Sequence, residues 1–141
     1  MKAVILAGGL GTRLKPFTDA IPKPLLPVGE KSVLEVQIER LRQHGFKEIF
    51  LATNYKSRYI ENFFKDGKHY GVNLHISKEQ SQLGTAGPLY LLRDKLKEPF
   101  LVMNGDILTL LNFTDLYSFA TNKGSLLTVA IKEEMFPFNF G

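Results

Sequence analysis

A short apolar run that empties at once into glycine dictates most of what this chain can become. Ala3-Val4-Ile5-Leu6-Ala7 is followed by Gly8, Gly9 and Gly11. Five apolar residues without alternation predict a strand buried on both faces, the pattern of a parallel sheet covered by helices. Glycines at the end of such a strand let backbone N–H groups approach an anion closely and converge on it. Thr12, Arg13 and Lys15 come next, and Lys23 stands between Pro22 and Pro24. The Arg13 guanidinium can grip phosphate oxygens in two places at once. From Ala3 to Gly29 the chain therefore reads as a strand and a loop built to hold polyphosphate.

Two common phosphate loops are excluded. No Gly-Lys-Ser/Thr follows the glycines at Walker A spacing. The dinucleotide fingerprint fails as well, because Leu14 stands where its third glycine should be, and Pro16, Pro22, Pro24 and Pro27 forbid the long helix that should open there. The loop is expected to be long and extended, and to wrap its ligand.

Downstream, strands alternate with helices. Ser32 with Glu35 forms a capping box, Leu34, Ile38 and Leu41 share one face, and Gly45 stops that helix. Glu48 to Ala52 predicts a buried strand. Ser57 is expected to cap a short helix whose Tyr59, Ile60, Phe63 and Phe64 pack inward, and Asp66-Gly67 marks a turn. Val72, Leu74 and Ile76 alternate with polar residues in a strand with one wetter face. Thr85 or Gly87 opens a helix through Leu89 and Leu92 to about Lys97, and Phe100 to Met103 is an apolar strand ending at Asn104-Gly105-Asp106. Thr114 is expected to cap a helix through Leu116 and Phe119 that ends at Gly124, before a last strand from Leu126 to Ile131. This order predicts a Rossmann-like, three-layer α/β fold: an open, mostly parallel sheet with helices on both faces. Ligands of such sheets bind outside the carboxyl ends of the strands. The glycine loop, Glu79 to Gly87 and Asp106 all stand at strand ends, so they are expected to converge.

Composition narrows the partners. The 141 residues fit one domain, and 44% hydrophobic with 23% charged residues is an ordinary globular balance. The net charge of +4 is scattered, with no run of five like charges, so a nucleic-acid partner is not expected and the excess is read as complement to phosphates. No cysteine is present, which suits a reducing cytoplasm. The first apolar run is too short for a signal peptide, and no stretch predicts a membrane span.

The segments LAGGLGTRLKPFT and PKPLLPV, with the stretch from Glu79 through Gly84, Thr85 and Gly87 to Leu89 and with Asn104-Gly105-Asp106, resemble the signature of the sugar-1-phosphate nucleotidylyltransferases. Within that family the chain is most similar to the mannose-1-phosphate guanylyltransferase branch. The resemblance implies attack by a sugar 1-phosphate oxygen on the α-phosphorus of a nucleoside triphosphate, with release of pyrophosphate. A phosphate monoester is already nucleophilic, so cations and oriented N–H groups matter more than a base. On this reading Arg13, with the backbone of Leu6, Ala7, Gly8, Gly9, Gly11 and Thr12, holds the β- and γ-phosphates. Lys23 bridges the α-phosphate and the incoming phosphate. Glu79, Gly84 and Thr85 line the base pocket, and Asn104 and Gly105 line the site beside Asp106, which binds Mg2+. The carboxylate of Glu79 accepts hydrogen bonds only, which suits the adjacent N1–H and N2–H2 donors of guanine. Lys15 is a weaker candidate, and Asp106 could instead cap its own turn.

The resemblance further implies a cytoplasmic homo-oligomer and a catalytic domain that continues past Gly141, so that residues 1–141 form the nucleotide-binding part of one domain. The aromatic-rich end, with Phe136, Phe138 and Phe140, is expected to pack under something further, and Gly141 to match a glycine near the sugar. The alternative is a non-catalytic subunit of the same fold that binds a nucleotide or nucleotide sugar in a regulatory or assembly role.

Overall fold

The computed structural model describes every residue except Tyr55, Gln80, Gln82, Phe136 and 138–141. The first apolar run forms strand β1, Lys2–Leu6. Two further short strands, β2 (Pro27–Val28) and β3 (Lys31–Ser32), pair as an antiparallel hairpin. Strands β4 (Glu48–Thr53), β5 (Asn73–Lys78) and β6 (Phe100–Asn104) join β1 in a four-stranded sheet of order β5-β4-β1-β6, parallel throughout. The helices are α1 (Phe17–Ala20), α2 (Val33–Gln43), α3 (Ser57–Phe64), α4 (Gly87–Leu91) and α5 (Phe113–Lys123).

The period of two along each strand divides the core. Ala3, Ile5, Ala7, Ile49 and Leu51 face one side, where they meet Leu34, Ile38 and Leu41 of α2, Ile60 and Phe64 of α3, and Phe113 of α5. Val4, Phe50 and Ala52 face the other side and meet Leu92, with Leu89 of α4 and Leu96 against them. Helices thus cover both faces, as expected. Among the described residues no helix is long and apolar enough to cross a membrane.

The topology fixes where a ligand can go. From β1 the chain moves outward to β4 and β5, then crosses back to place β6 on the far side of β1. The direction reverses beside β1, and at such a switch point the loops leaving neighbouring strands diverge and open a crevice at the carboxyl edge. The register aligns the strand ends, with Leu6 opposite both Ala52 and Asn104, and Ala52 opposite Ser77.

Four expectations fail here. No strand forms at Leu126 to Ile131: Leu126, Leu127, Val129 and Ile131 are largely exposed, and none of these residues pairs with the sheet. The helix opened by Gly87 ends at Leu91 and not near Lys97; it gives way to tight i→i+3 turns, Leu92 N–H to Leu89 O at 3.1 Å and Lys95 N–H to Leu92 O at 2.8 Å. Tyr59 and Phe63 lie on the outer side of α3, because at 100° per residue they cannot share the inward stripe of Ile60 and Phe64. The caps shift by a residue or two. Lys56, not Ser57, occupies the N-cap position of α3, with no side-chain capping bond, and the Asn112 side chain, not Thr114, caps α5 by accepting from Thr114 N–H and Asp115 N–H. Phe136, Phe138, Phe140 and Gly141, expected to pack under something further and to match a glycine near the sugar, lie outside the described residues.

The capping box does form. Ser32 Oγ accepts from Glu35 N–H at 3.2 Å, while the Glu35 carboxylate accepts from Ser32 N–H at 2.7 Å and from Ser32 Oγ–H at 2.8 Å. Tyr70 adds its hydroxyl to the same carboxylate at 3.1 Å. Burial alone would raise the Glu35 carboxyl, but the Ser32 and Tyr70 hydrogen bonds and the Lys31 charge hold it below its ordinary range. The Tyr70 phenol is pushed up to about 12 by burial and by the neighbouring Glu35 charge.

The sign of each linkage follows. A raised phenol stabilises the fold fully below its ordinary value and loses that contribution as pH rises through the folded one. A lowered carboxylate stabilises above its ordinary value and loses that contribution as pH falls. Tyr70→Phe removes the hydroxyl, so the urea-stability gap between wild type and variant is expected to narrow from about pH 10 to about pH 12. A gap constant across that window would refute the Tyr70–Glu35 coupling.

Candidate active site

At the carboxyl edge of the sheet lies a crevice of about 620 Å3. Its floor is the end of β1 and the glycine loop: Leu6, Ala7, Gly8, Gly9, Gly11 and Thr12. The ladder runs one residue past each strand, with Ala7 N–H bonded to Ala52 O at 2.7 Å, Gly105 N–H to Leu6 O at 2.9 Å and Glu79 N–H to Thr53 O at 2.9 Å. Each loop therefore leaves a rigid edge at a fixed height. Gly105 suits this close approach, since a β-carbon there would stand a tight 3.1 Å from Leu6 O and 3.3 Å from Ala7 Cα.

The glycine loop is held from behind. Gly11 has φ +64°, and a β-carbon on it would come within 2.8 Å of Thr18 Cγ2. Thr18, fully buried, donates its hydroxyl to Gly11 O at 2.9 Å. Lys56 reaches across from the start of α3 and donates to Thr18 O at 3.2 Å and Asp19 O at 2.5 Å. The prolines leave short turns in place of a long helix, at Thr12–Leu14, Phe17–Ala20 and Lys23–Leu25.

Lys23 leaves the last of these turns and crosses the crevice to Asp106, forming an ion pair between Nζ and Oδ2. The lysine side chain is 32% and the aspartate 44% exposed, so the pair stands in the open mouth. The Asp106 carboxylate takes its bond from Lys23 and not from the Asn104–Ile107 turn, where Ile107 N–H bonds Asn104 O at 3.3 Å and Gly105 N–H bonds Leu6 O. Asp106 therefore does not cap its turn. On the opposite wall, Glu79 Oε1 lies over Gly8, 3.2 Å from where a β-carbon would be, and Oε2 accepts from Leu83 N–H at 3.3 Å.

The structure thus brings Leu6, Ala7, Gly8, Gly9, Gly11, Thr12, Lys23, Glu79, Gly84, Thr85, Asn104, Gly105 and Asp106 to one crevice. Arg13 is not among its lining residues; it sits exposed on the turn after Gly11. Lys15 also stays outside, paired with Asp19 at 3.3 Å. Asn54, Leu10, Pro24 and Pro88 line the crevice without having been singled out by sequence. Asn54 was within reach of the strand-end rule, since it follows Thr53 at the end of β4.

Among the described residues no three His, Cys, Asp or Glu side chains cluster as a metal cage. That does not disqualify Mg2+, a hard ion that usually takes one or two carboxylates and completes its shell with phosphate oxygens and water. One half-exposed carboxylate beside a glycine loop is a donor set of that kind, and Asp106 fits.

Comparison with known proteins agrees with this architecture. A family model described as Nucleotidyl transferase matches residues 2–141. The chain is 41% identical over its whole length to a probable mannose-1-phosphate guanylyltransferase 1 of Oryza sativa subsp. japonica. It spans about 40% of the length of that relative and of the other curated relatives. Among solved structures it superposes with a TM-score of 0.80 and 29% identity on a putative glucose-1-phosphate thymidylyltransferase from Bacillus anthracis in complex with a sucrose, covering 86% of this chain and 50% of that one. With HddC from Yersinia pseudotuberculosis complexed with GMP-PN the TM-score is 0.75 at 32% identity, covering 84% and 53%.

Proposed function

The chain belongs to the nucleotidyl transferase family, and we propose that its crevice binds a nucleoside triphosphate, GTP in preference, for transfer of the nucleotidyl group to a sugar 1-phosphate. The observation that carries this reading is the meeting of the glycine loop, Lys23 and Asp106 across one open crevice. A nucleotide sugar and pyrophosphate are the products. An oxygen of the sugar phosphate forms the new bond to the α-phosphorus, and the bond from that phosphorus to the β-phosphate oxygen breaks, its electron pair leaving with pyrophosphate.

Each residue has a part that follows from its chemistry. The backbone N–H groups from Gly8 to Thr12 hold the phosphates beyond the α-position, where a nest of donors suits a dense negative charge. Lys23 stands where two anions must approach one another, and its ammonium offsets the charge that develops there. Glu79 accepts from the donor edge of guanine, a recognition that thymine and uracil, with a single imide N–H, satisfy less well. Asp106 would hold Mg2+, which when bound neutralises triphosphate charge. Lys23 pairs with this carboxylate through Oδ2 alone, so the lysine and the cation would share it or compete for it, and the ammonium would lie within the same mouth as the phosphates. Arg13, exposed on the turn after Gly11, would hold the β- and γ-phosphates with the Gly8 to Thr12 backbone.

Both the cited relative and the GMP-PN complex carry guanine nucleotides in their names, which favours GTP here. Calorimetry with Mg2+ and GTP, dTTP, UTP, CTP or ATP in turn tests the assignment. GTP is expected to bind most tightly. Binding of none below millimolar concentration would overturn the nucleotide reading, whereas a preference for dTTP would overturn only the role of Glu79.

A further inference from the structure

We propose that Gln37 is the positioning residue for Asp106, a role that rests on the reading of Asp106 as the metal-holding carboxylate. Gln37 lies on the buried face of α2, between Leu34 and Leu41, and is 2% exposed. A primary amide in that stripe is costly beside a leucine or methionine of similar volume unless its hydrogen bonds repay it. Its Nε2 donates to Asn104 O at 2.9 Å and to Ile107 O at 2.7 Å. Those carbonyls stand on either side of Gly105-Asp106, so one amide grips the turn from behind while the carboxylate faces the crevice.

The orientation of the amide follows from its partners. Only the NH2 end can meet two carbonyl oxygens; the reverse would set three acceptors against one another. The remaining Oε1 is buried and has no partner among the described residues, which makes the grip on the turn the interaction that dictates this side chain. The turn has little else to hold its far end, since its own closing bond, Ile107 N–H to Asn104 O, is long at 3.3 Å. One helical turn on, Arg40 Nη2 donates to Leu111 O at 3.0 Å, so the same face of α2 also holds the end of this connection.

The same helix reaches the other partner of the crevice ion pair. At its start Val33 N–H bonds Leu26 O at 3.1 Å, just past the turn that carries Lys23. Helix α2 is therefore bonded both to the strap that presents Lys23 and to the turn that presents Asp106. Groups that orient a metal ligand from behind are typically worth about 10–100-fold in metal affinity.

The test is Gln37→Met, which keeps length and removes both donors, with Gln37→Glu as a second variant. With saturating GTP, the Mg2+ affinity of Gln37→Met is expected to fall about 10–100-fold. Its GTP affinity without metal should stay as in wild type, and amide hydrogen exchange should accelerate at Gly105 and Ile107 but not along Ala3 to Leu6. A role in packing alone would slacken the core without separating metal from nucleotide. Wild-type Mg2+ affinity together with unchanged exchange at Gly105 and Ile107 would overturn the proposal. Asp106→Asn is measured alongside: wild-type Mg2+ affinity there would refute the metal reading and leave the grip on the turn to stand or fall on the exchange rates. If neither Gln37 variant folds, the wild-type side-chain amide decides, because its protons must exchange far more slowly than those of an exposed glutamine; fast exchange refutes the grip.

Discussion

Lys23→Ala, on the proposed transfer reaction and assayed in a chain of the relatives' full length, is expected to reduce pyrophosphate release by about 10²–10³-fold, the usual cost of removing one preorganised charge stabiliser from a reacting centre. The fold should survive. The lysine leaves a short turn whose buried member is Pro24, and among the described residues its side chain pairs with Asp106 alone, in a half-exposed pair. Such pairs contribute about 0–1 kcal/mol to stability, so the melting temperature should move little. Mg2+ affinity provides an independent check. In the free protein the ammonium and a metal ion compete for the same carboxylate, so Lys23→Ala should bind Mg2+ no more weakly than wild type, while turning over far more slowly. Unchanged pyrophosphate release would refute the role given to Lys23.

The site was legible in sequence to the extent that it obeys a topological rule. Parallel strands open their ligand site at the carboxyl edge, so a glycine run after Ala7, a glutamate after Lys78 and an aspartate after Asn104-Gly105 could be brought together before any coordinates. The supports of those residues were not legible. Thr18 and Lys56 brace Gly11 through contacts 7 and 38 residues apart, which no local pattern encodes. Gln37 left a faint signal: it is the polar residue inside the stripe of Leu34, Ile38 and Leu41. A polar side chain on a buried face implies a polar partner, but the sequence does not say that the partners are two carbonyls 67 and 70 residues away.

The fold shows the same division. The strands beneath the site and the capping box of α2 depend on short-range chemistry and stand where expected. The segment Leu126 to Ile131 has the composition of a strand, yet a strand is defined by its ladder and these residues have none here. Tyr59 and Phe63 mislead for a related reason. Four apolar residues within six positions cover more of a helix than a single sheet face can bury, so one pair had to remain outside.

Asp106→Asn is expected to cost several kcal/mol of transition-state stabilisation, because an amide oxygen keeps the shape of the carboxylate but loses the charge that a hard cation requires. Stability is where the two explanations of this residue separate. If Asp106 capped its turn, Asp106→Ala would lose about 1 kcal/mol and Asp106→Asn almost nothing. In the structure the carboxylate pairs with Lys23, and Gly105 N–H and Ile107 N–H bond backbone carbonyls. Both substitutions should therefore stay within about 0.5 kcal/mol of wild type, the range of surface positions away from caps and cores. The decisive measurement pairs a urea melt with Mg2+-dependent pyrophosphate release for each variant. Lost release with intact stability assigns the carboxylate to the metal. Retained release would take the metal role away from Asp106 and leave Lys23–Asp106 as no more than a clasp across the mouth, whereas a wild type that binds nucleotide and releases no pyrophosphate would favour the non-catalytic nucleotide-binding reading.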